Sequence, residues 1–210
     1  HENYFRLASL LSAQGQNKEA LAQLDLVENR FGPSEDLSMQ RQMIYIELKQ
    51  YDQALAEADR LIQAHPDEIR YLGIKAEILE KAGRDGEAIA LYKSMLETDP
   101  DNGLVLLALY EESSKKGNAA EAEEYLLRSF ASKDLNIDVK INILLNLMSS
   151  PRFAKDPESL LALAAKLEEA HPDNAKTYAV QGDLYYGLNR PEESRKNFRR
   201  AVEIDPNRPP

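Results

Sequence analysis

Four prolines restrict this chain more than any other feature. Pro66, Pro100, Pro172 and Pro206 are spaced 34, 72 and 34 residues apart, and 72 is two such periods plus four. The words around them recur. Ala64-His65-Pro66-Asp67 returns as Ala170-His171-Pro172-Asp173, and Thr98-Asp99-Pro100-Asp101 is echoed by Ile204-Asp205-Pro206-Asn207. A fixed period of that length argues against an ordinary globular core, because each unit of a repeat array buries its apolar face by stacking on its neighbours. The expected object is a serial stack with an inner wall free to hold another polypeptide.

With the proline set at position 32 of a 34-residue unit, the chain divides into repeats at 1–34, 35–68, 69–102, 103–136, 138–174 and 175–208. The whole of 1–210 is then one domain. Each unit reads as two helices, because apolar residues recur at i, i+3, i+4 and i+7, as in Tyr71, Leu72, Ala76, Leu79 and then Ala88, Leu91, Tyr92, Met95. Asp67, Asp101 and Asp173 follow the prolines and are expected to cap the next helix. Turn formers separate the paired helices: Gly15-Gln16-Asn17, Gly83-Arg84-Asp85, Gly117-Asn118 and Gly187-Leu188-Asn189. Pro191 suits the first turn of its helix, where its missing N–H would be unpaired anyway.

These residues resemble the tetratricopeptide repeat family. That pattern asks for a large residue at position 4, a leucine-like one at 7, a small one at 8 and a large one at 11. It then asks for a small residue at 20, a large one at 24, a small one at 27 and proline at 32. Repeat six offers Tyr178, Gln181, Gly182, Tyr185, Ser194, Phe198, Ala201 and Pro206, and repeat three offers Leu72, Lys75, Ala76, Leu79, Ala88, Tyr92, Met95 and Pro100. Repeat two is weak at its front, with Ser38, Arg41, Gln42 and Tyr45. The resemblance implies an all-α fold, a right-handed α-solenoid of about six tandem helix-turn-helix repeats, of the kind found in bacterial multi-repeat adaptors. Its small positions are helix crossings, where only a small side chain lets axes approach to about 8–10 Å.

Repeat five departs from the pattern. Ser149-Ser150-Pro151 ends its first helix early, and Asp156-Pro157 restarts the chain as a cap and a first-turn proline. Counting from 138 puts Ile141, Leu144, Leu145 and Met148 at positions 4, 7, 8 and 11. The intervening stretch reads as a loop insertion, with Phe153 its most conspicuous side chain. Gly73 lies inside a first helix, and close approach of the adjacent helix is the expected reason.

Composition narrows the function. The net charge is −10, which repels phosphate backbones and disfavours nucleic acid as a partner. The exception is residues 175–208, with seven bases against five acids. There is no cysteine, so disulfides, thiol catalysis and thiolate metal sites are excluded. No apolar run approaches the roughly 18 residues needed to span a bilayer, so no membrane insertion is expected. His65 and His171 recur at one grid position near a helix end, where a cation is favoured, and they lack companions at metal-ligand spacing. The chain is read as no enzyme, with no cofactor.

In the family, first helices line the concave face through positions 2, 5, 6, 9, 12 and 13. Carried over, that assignment implies a groove of Phe5, Arg6, Met39, Gln40, Met43, Arg70, Ile74, Glu77, Leu104, Leu107, Glu111, Asn142, Asn146, Lys176 and Asp183. The family's chaperone-tail clamp would need Lys, Asn or Arg where Phe5, Ser9, Gln40, Arg70 and Ile74 stand, so only Arg70 keeps the charge. An apolar floor containing methionines adapts to varied ligands, and flanking amides bond a peptide backbone without reading its sequence. The expected function is a protein-interaction scaffold holding an amphipathic helix or extended segment with apolar anchors and some basic character. The alternative is a targeting arm of a larger enzyme or regulator. A second copy packing on repeat six, giving a homodimer, is a further expectation. The sequence does not fix a compartment, and the adaptor resemblance leans to the bacterial envelope or periplasm over the cytoplasm.

Overall fold

The computed structural model describes residues 2–151 and 156–206. Among them are twelve α-helices and no β-strand. The chain divides into two compact units, His1–Thr98 and Asp99–Pro210. The stretch containing Phe153 lies outside the described residues.

The first unit holds α1 (Glu2–Ala13), α2 (Asn17–Phe31), α3 (Glu35–Glu47), α4 (Tyr51–Ala64), α5 (Ile69–Lys81) and α6 (Asp85–Thr98). They pack as the pairs α1/α2, α3/α4 and α5/α6, and each of α2 and α4 also packs on the helix after it. The pairs turn at residues in the left-handed region: Gly15 (φ 77°), Gly83 (φ 71°) and, in the second pair, Lys49 (φ 56°). Small side chains sit at the crossings. Ala8, Ala20, Ala54, Ala76 and Ala88 are all wholly buried, so enlarging any of them should overpack the crossing by about 1–3 kcal/mol. Gly73 is different. A Cβ added there would meet only Met95 Cε, at 4.0 Å. That corrects the expected close approach, since alanine fits at this position.

The weak front of repeat two has a structural counterpart. Arg41 and Gln42 occupy the leucine-like and small positions, and each is only 4% exposed. Arg41 pairs with Asp25, with Glu28 at 2.6 Å and with Glu57 at 3.9 Å. Arg60 reaches Glu28 and Glu57 at 3.4 Å. Burial works against the Arg41 charge, but the Glu28 and Asp25 carboxylates more than offset it, leaving the guanidinium above its ordinary pKa. Arg41 Nε, Gln42 Nε2 and Glu57 Oε2 are buried without a hydrogen-bond partner.

The second unit holds α7 (Gly103–Lys115), α8 (Ala119–Ala131), α9 (Ile137–Met148), α10 (Pro157–Ala170), α11 (Ala175–Gly187) and α12 (Pro191–Ile204). Packing again runs in series, α7 on α8, α8 and α9 on α10, α10 on α11, and α11 on α12. Its core joins Leu126, Phe130, Leu144, Leu160, Leu167 and Leu184. Leu144 is wholly buried while Leu145 is 40% exposed. The crossing residue of the fifth pair is therefore Leu144, one place earlier than the count from 138 implies. At the sixth pair, a Cβ on Gly182 would lie 2.7 Å from the Phe198 ring, so a larger residue there would push that ring aside.

The helix caps need one correction. Asp101 and Asp173 are not the caps of α7 and α11. Asn102 and Asn174 are, accepting from the backbone N–H groups of Val105 and Lys176. Before α5 the cap position falls to Glu68, not Asp67, and Glu68 makes no side-chain cap bond. Asp156 does cap α10, accepting from Ser159 N–H at 3.2 Å, with Pro157 in the first turn. Repeat four has Asp134 where repeats two, three, five and six have proline, and its carboxylate accepts from Gly103 N–H at the start of α7. A Cβ on Gly103 would meet Leu135 Cβ at 2.6 Å, so this contact also depends on glycine.

Candidate functional site

All the residues expected to line a groove lie on first helices, α1, α3 and α5 in one unit and α7, α9 and α11 in the other, and none of them is buried. An α-helix puts residues three and four apart on one face, so Gln40 and Met43 of α3 share a face, as do Phe5 and Ser9 of α1. In the first unit this brings side chains together. A cleft of about 440 Å³ between α1 and α3 is lined by Glu2, Phe5, Arg6, Ser9, Leu10 and Gln40. Met39 and Met43, on α3 with Gln40, are 37% and 64% exposed. Arg6 pairs with Glu2 at 2.6 Å on the rim. Leu10, 61% exposed, was not in the expected set.

On α5, Ile74 is half-buried and Glu77 exposed. Arg70 is already engaged. It pairs with Glu35 at 3.0 Å and Glu68 at 3.3 Å, donates to the Tyr71 hydroxyl at 2.8 Å, and stacks 4.7 Å from the Tyr71 ring. A hydrogen bond from Tyr71 holds the Glu35 carboxyl below its ordinary pKa, and the charges of Arg70 and His65 add to that. Arg70 thus tethers α5 to α3 and is not a free cation for a ligand.

In the second unit the expected residues are more scattered. Leu104 is 69% exposed, whereas Leu107 gives part of its surface to the core. Glu111, Asn142, Asn146 and Asp183 are exposed. Lys176 is half-buried and pairs with Asp138 of α9.

Sequence reading missed one buried titratable group. Lys140 is wholly buried; its Nζ donates to Ser132 O and lies 3.0 Å from His171 Nε2. Burial lowers the Lys140 pKa to about 8, with Asp134 pulling the other way. His171 is also lowered, by burial first and then by Lys140, against a hydrogen bond to the Leu135 backbone. Burial and Lys140 thus both work against the cation expected at this helix end, and the His171 carbonyl accepts from Thr177 Oγ1 at 2.9 Å. The group ties the 132–136 loop to the end of α10 and the start of α11. Counting repeat five from 137 places Lys140 at a large apolar position, and that mismatch was the available signal.

Models of the tetratricopeptide repeat match the chain over residues 43–103 and 175–208. Those stretches are tetratricopeptide repeats. Over 96 residues the repeat protein is 30% identical to the uncharacterized protein y4yS of Sinorhizobium fredii, a stretch covering 46% of this chain and 52% of that one. It thus spans about half the length of that curated relative. Its fold is shared by a tetratricopeptide repeat protein of Parabacteroides merdae (TM-score 0.53, 17% identity, 98% of this chain and 78% of that one). It is shared equally by the C-terminal part of a repeat-containing protein of Cytophaga hutchinsonii (TM-score 0.52, 18% identity, 95% and 78%). Both likenesses place the protein in the all-α repeat class.

Proposed function

We propose that this repeat protein is an interaction scaffold that holds a peptide or helical segment of a partner protein on its first-helix faces, and principally on that of the first unit. The observation that carries this reading is the cleft between α1 and α3, where Phe5 and Leu10 meet Gln40, on a helix that also exposes Met39 and Met43. Apolar side chains left in water on a helix face are released from it when a complementary surface covers them. Methionines adapt to the shape that arrives, and the Gln40 amide bonds backbone groups of either polarity. The ligand suited to this surface carries apolar anchors and binds at about micromolar affinity, near −8 kcal/mol. A pull-down with Met43→Glu and Leu107→Glu, each checked for native helicity, tests the proposal. Partner capture is expected to fall in Met43→Glu first, and full retention in both variants rejects it.

The alternative reading is a targeting arm of a larger enzyme or regulator. The intact reading frame separates the two. A flanking catalytic domain supports the arm, and further repeats or an envelope signal support a free-standing adaptor.

A further inference from the structure

Helix α12 presents an uncovered amphipathic face. Phe198 and Val202, one turn apart, are 38% and 59% exposed, and Tyr186 from the end of α11 stands beside them at 76%. With Arg195, Arg199 and Glu203 they line a shallow cleft of about 700 Å³, and Glu203 is paired to Arg200 at 3.3 Å. The same two arginines also line a second cleft, of about 740 Å³, on the side of α12 toward α10 and α11, where Glu168, Glu192 and Glu193 face them. Every other described arginine makes a hydrogen bond or ion pair within the chain. Arg195 and Arg199 are exposed and make none, in a chain whose net charge is −10. An acidic protein with two arginines left unpaired one turn apart, along the edge of an apolar row, has a local charge that opposes its average.

We propose that this face of α12 docks an acidic amphipathic helix of another protein. Phe198 and Val202 match an apolar stripe at i, i+4 on the incoming helix. Arg195 and Arg199 match carboxylates spaced one turn apart along its edge, and planar guanidinium suits carboxylate in the two-bond geometry that lysine does not reproduce. A second copy of this chain is the poorer occupant. A two-fold contact on this face would set Arg195 and Arg199 of both copies around one small apolar row, bringing like charges together.

The test uses the 210-residue chain and a synthetic helical peptide with leucines on one stripe and glutamates along both edges. Its twin carries lysine at every glutamate. In fluorescence anisotropy the acidic peptide is expected to bind saturably, to weaken as salt rises, and to lose at least about tenfold in affinity with R195E/R199E. Val202→Glu is expected to weaken it comparably. Circular dichroism checks that the variants fold, and R195Q/R199Q replaces the charge reversal if that variant unfolds. Equal binding of the lysine twin overturns the proposal, as does an unchanged affinity in R195E/R199E or no saturable binding of the acidic peptide. Concentration-dependent self-association abolished by Val202→Glu assigns the face to a second copy and overturns it equally.

Discussion

The two units build the same helix pairs with different interiors. In the first, the contact among α2, α3 and α4 is held by Arg41, Asp25, Glu28, Glu57 and Arg60, and three buried polar atoms there have no partner. In the second, the corresponding contacts are a continuous apolar cluster around Phe130, Leu144, Leu160 and Leu167. The first-helix faces differ too. The first unit exposes Met39 and Met43 and gathers Phe5, Leu10 and Gln40 in a cleft, while the second exposes Leu104 but gives part of Leu107 to its core and Lys176 to Asp138. The repeat template thus fixes where helices cross without fixing whether a junction is polar or apolar. The unit with the apolar interior suits a rigid scaffold. The unit whose first helices share a cleft suits a grip.

The largest effect is expected where the polar interior is broken. Arg41→Ala leaves the Glu28 and Glu57 carboxylates with only Arg60 to answer them, and should cost about 3–5 kcal/mol in denaturant unfolding. In the other unit, Leu144→Ala should cost about 2–5 kcal/mol, through lost burial and the cavity it leaves. If Arg41→Ala is neutral, the polar junction is not structural and the contrast between the interiors fails.

Next comes pH, which acts through Lys140 and the groups facing it: Asp134 and Ser132 from the loop, and His171 at the end of α10. Lys140 titrates near 8 when folded and near 10.4 when unfolded. Between those values the unfolded chain binds the extra proton, so stability should rise with pH, by on the order of 2–3 kcal/mol. Lys140→Met should remove that rise. His171 is lowered as well, so as pH falls below about 6.5 the unfolded chain takes up a proton that the folded one resists, and stability should fall. Thermal melts at stepped pH, repeated on His171→Asn, check this acid limb. The smallest effect is a gain. Gly73→Ala should stabilise α5 by about 1 kcal/mol, because helix propensity improves and the added methyl meets only Met95 Cε.

The helix pairs and their small crossing residues were legible from the sequence because period and side-chain size are local properties. Ala20, Ala54 and Ala88 could be placed from the repeat positions that the family resemblance implies, and Asp156-Pro157 could be read as a helix start from two residues. The caps were off by one at Asn102 and Asn174 because aspartate and asparagine adjoin there and both cap well. The junction at Arg41 could not be read, since its partners Asp25, Glu28 and Glu57 lie on other helices and only the fold brings them within reach. Lys140 was hidden for the same reason. The groove set was partly legible. Phe5 and Gln40 line one cleft, but the sequence could not show that Arg70 is spent on Glu35 or that Leu107 is partly packed against the core.

The central claim is that the first unit's first-helix face grips a partner, and site-specific photo-crosslinking in extracts of the source cells tests it most directly. A photoreactive side chain at position 43 of α3 is compared with one at position 142 of α9. A discrete protein adduct is expected from position 43, much stronger than any from position 142, and lost when Phe5→Glu is added. An adduct at position 142 with none at position 43 would contradict the account.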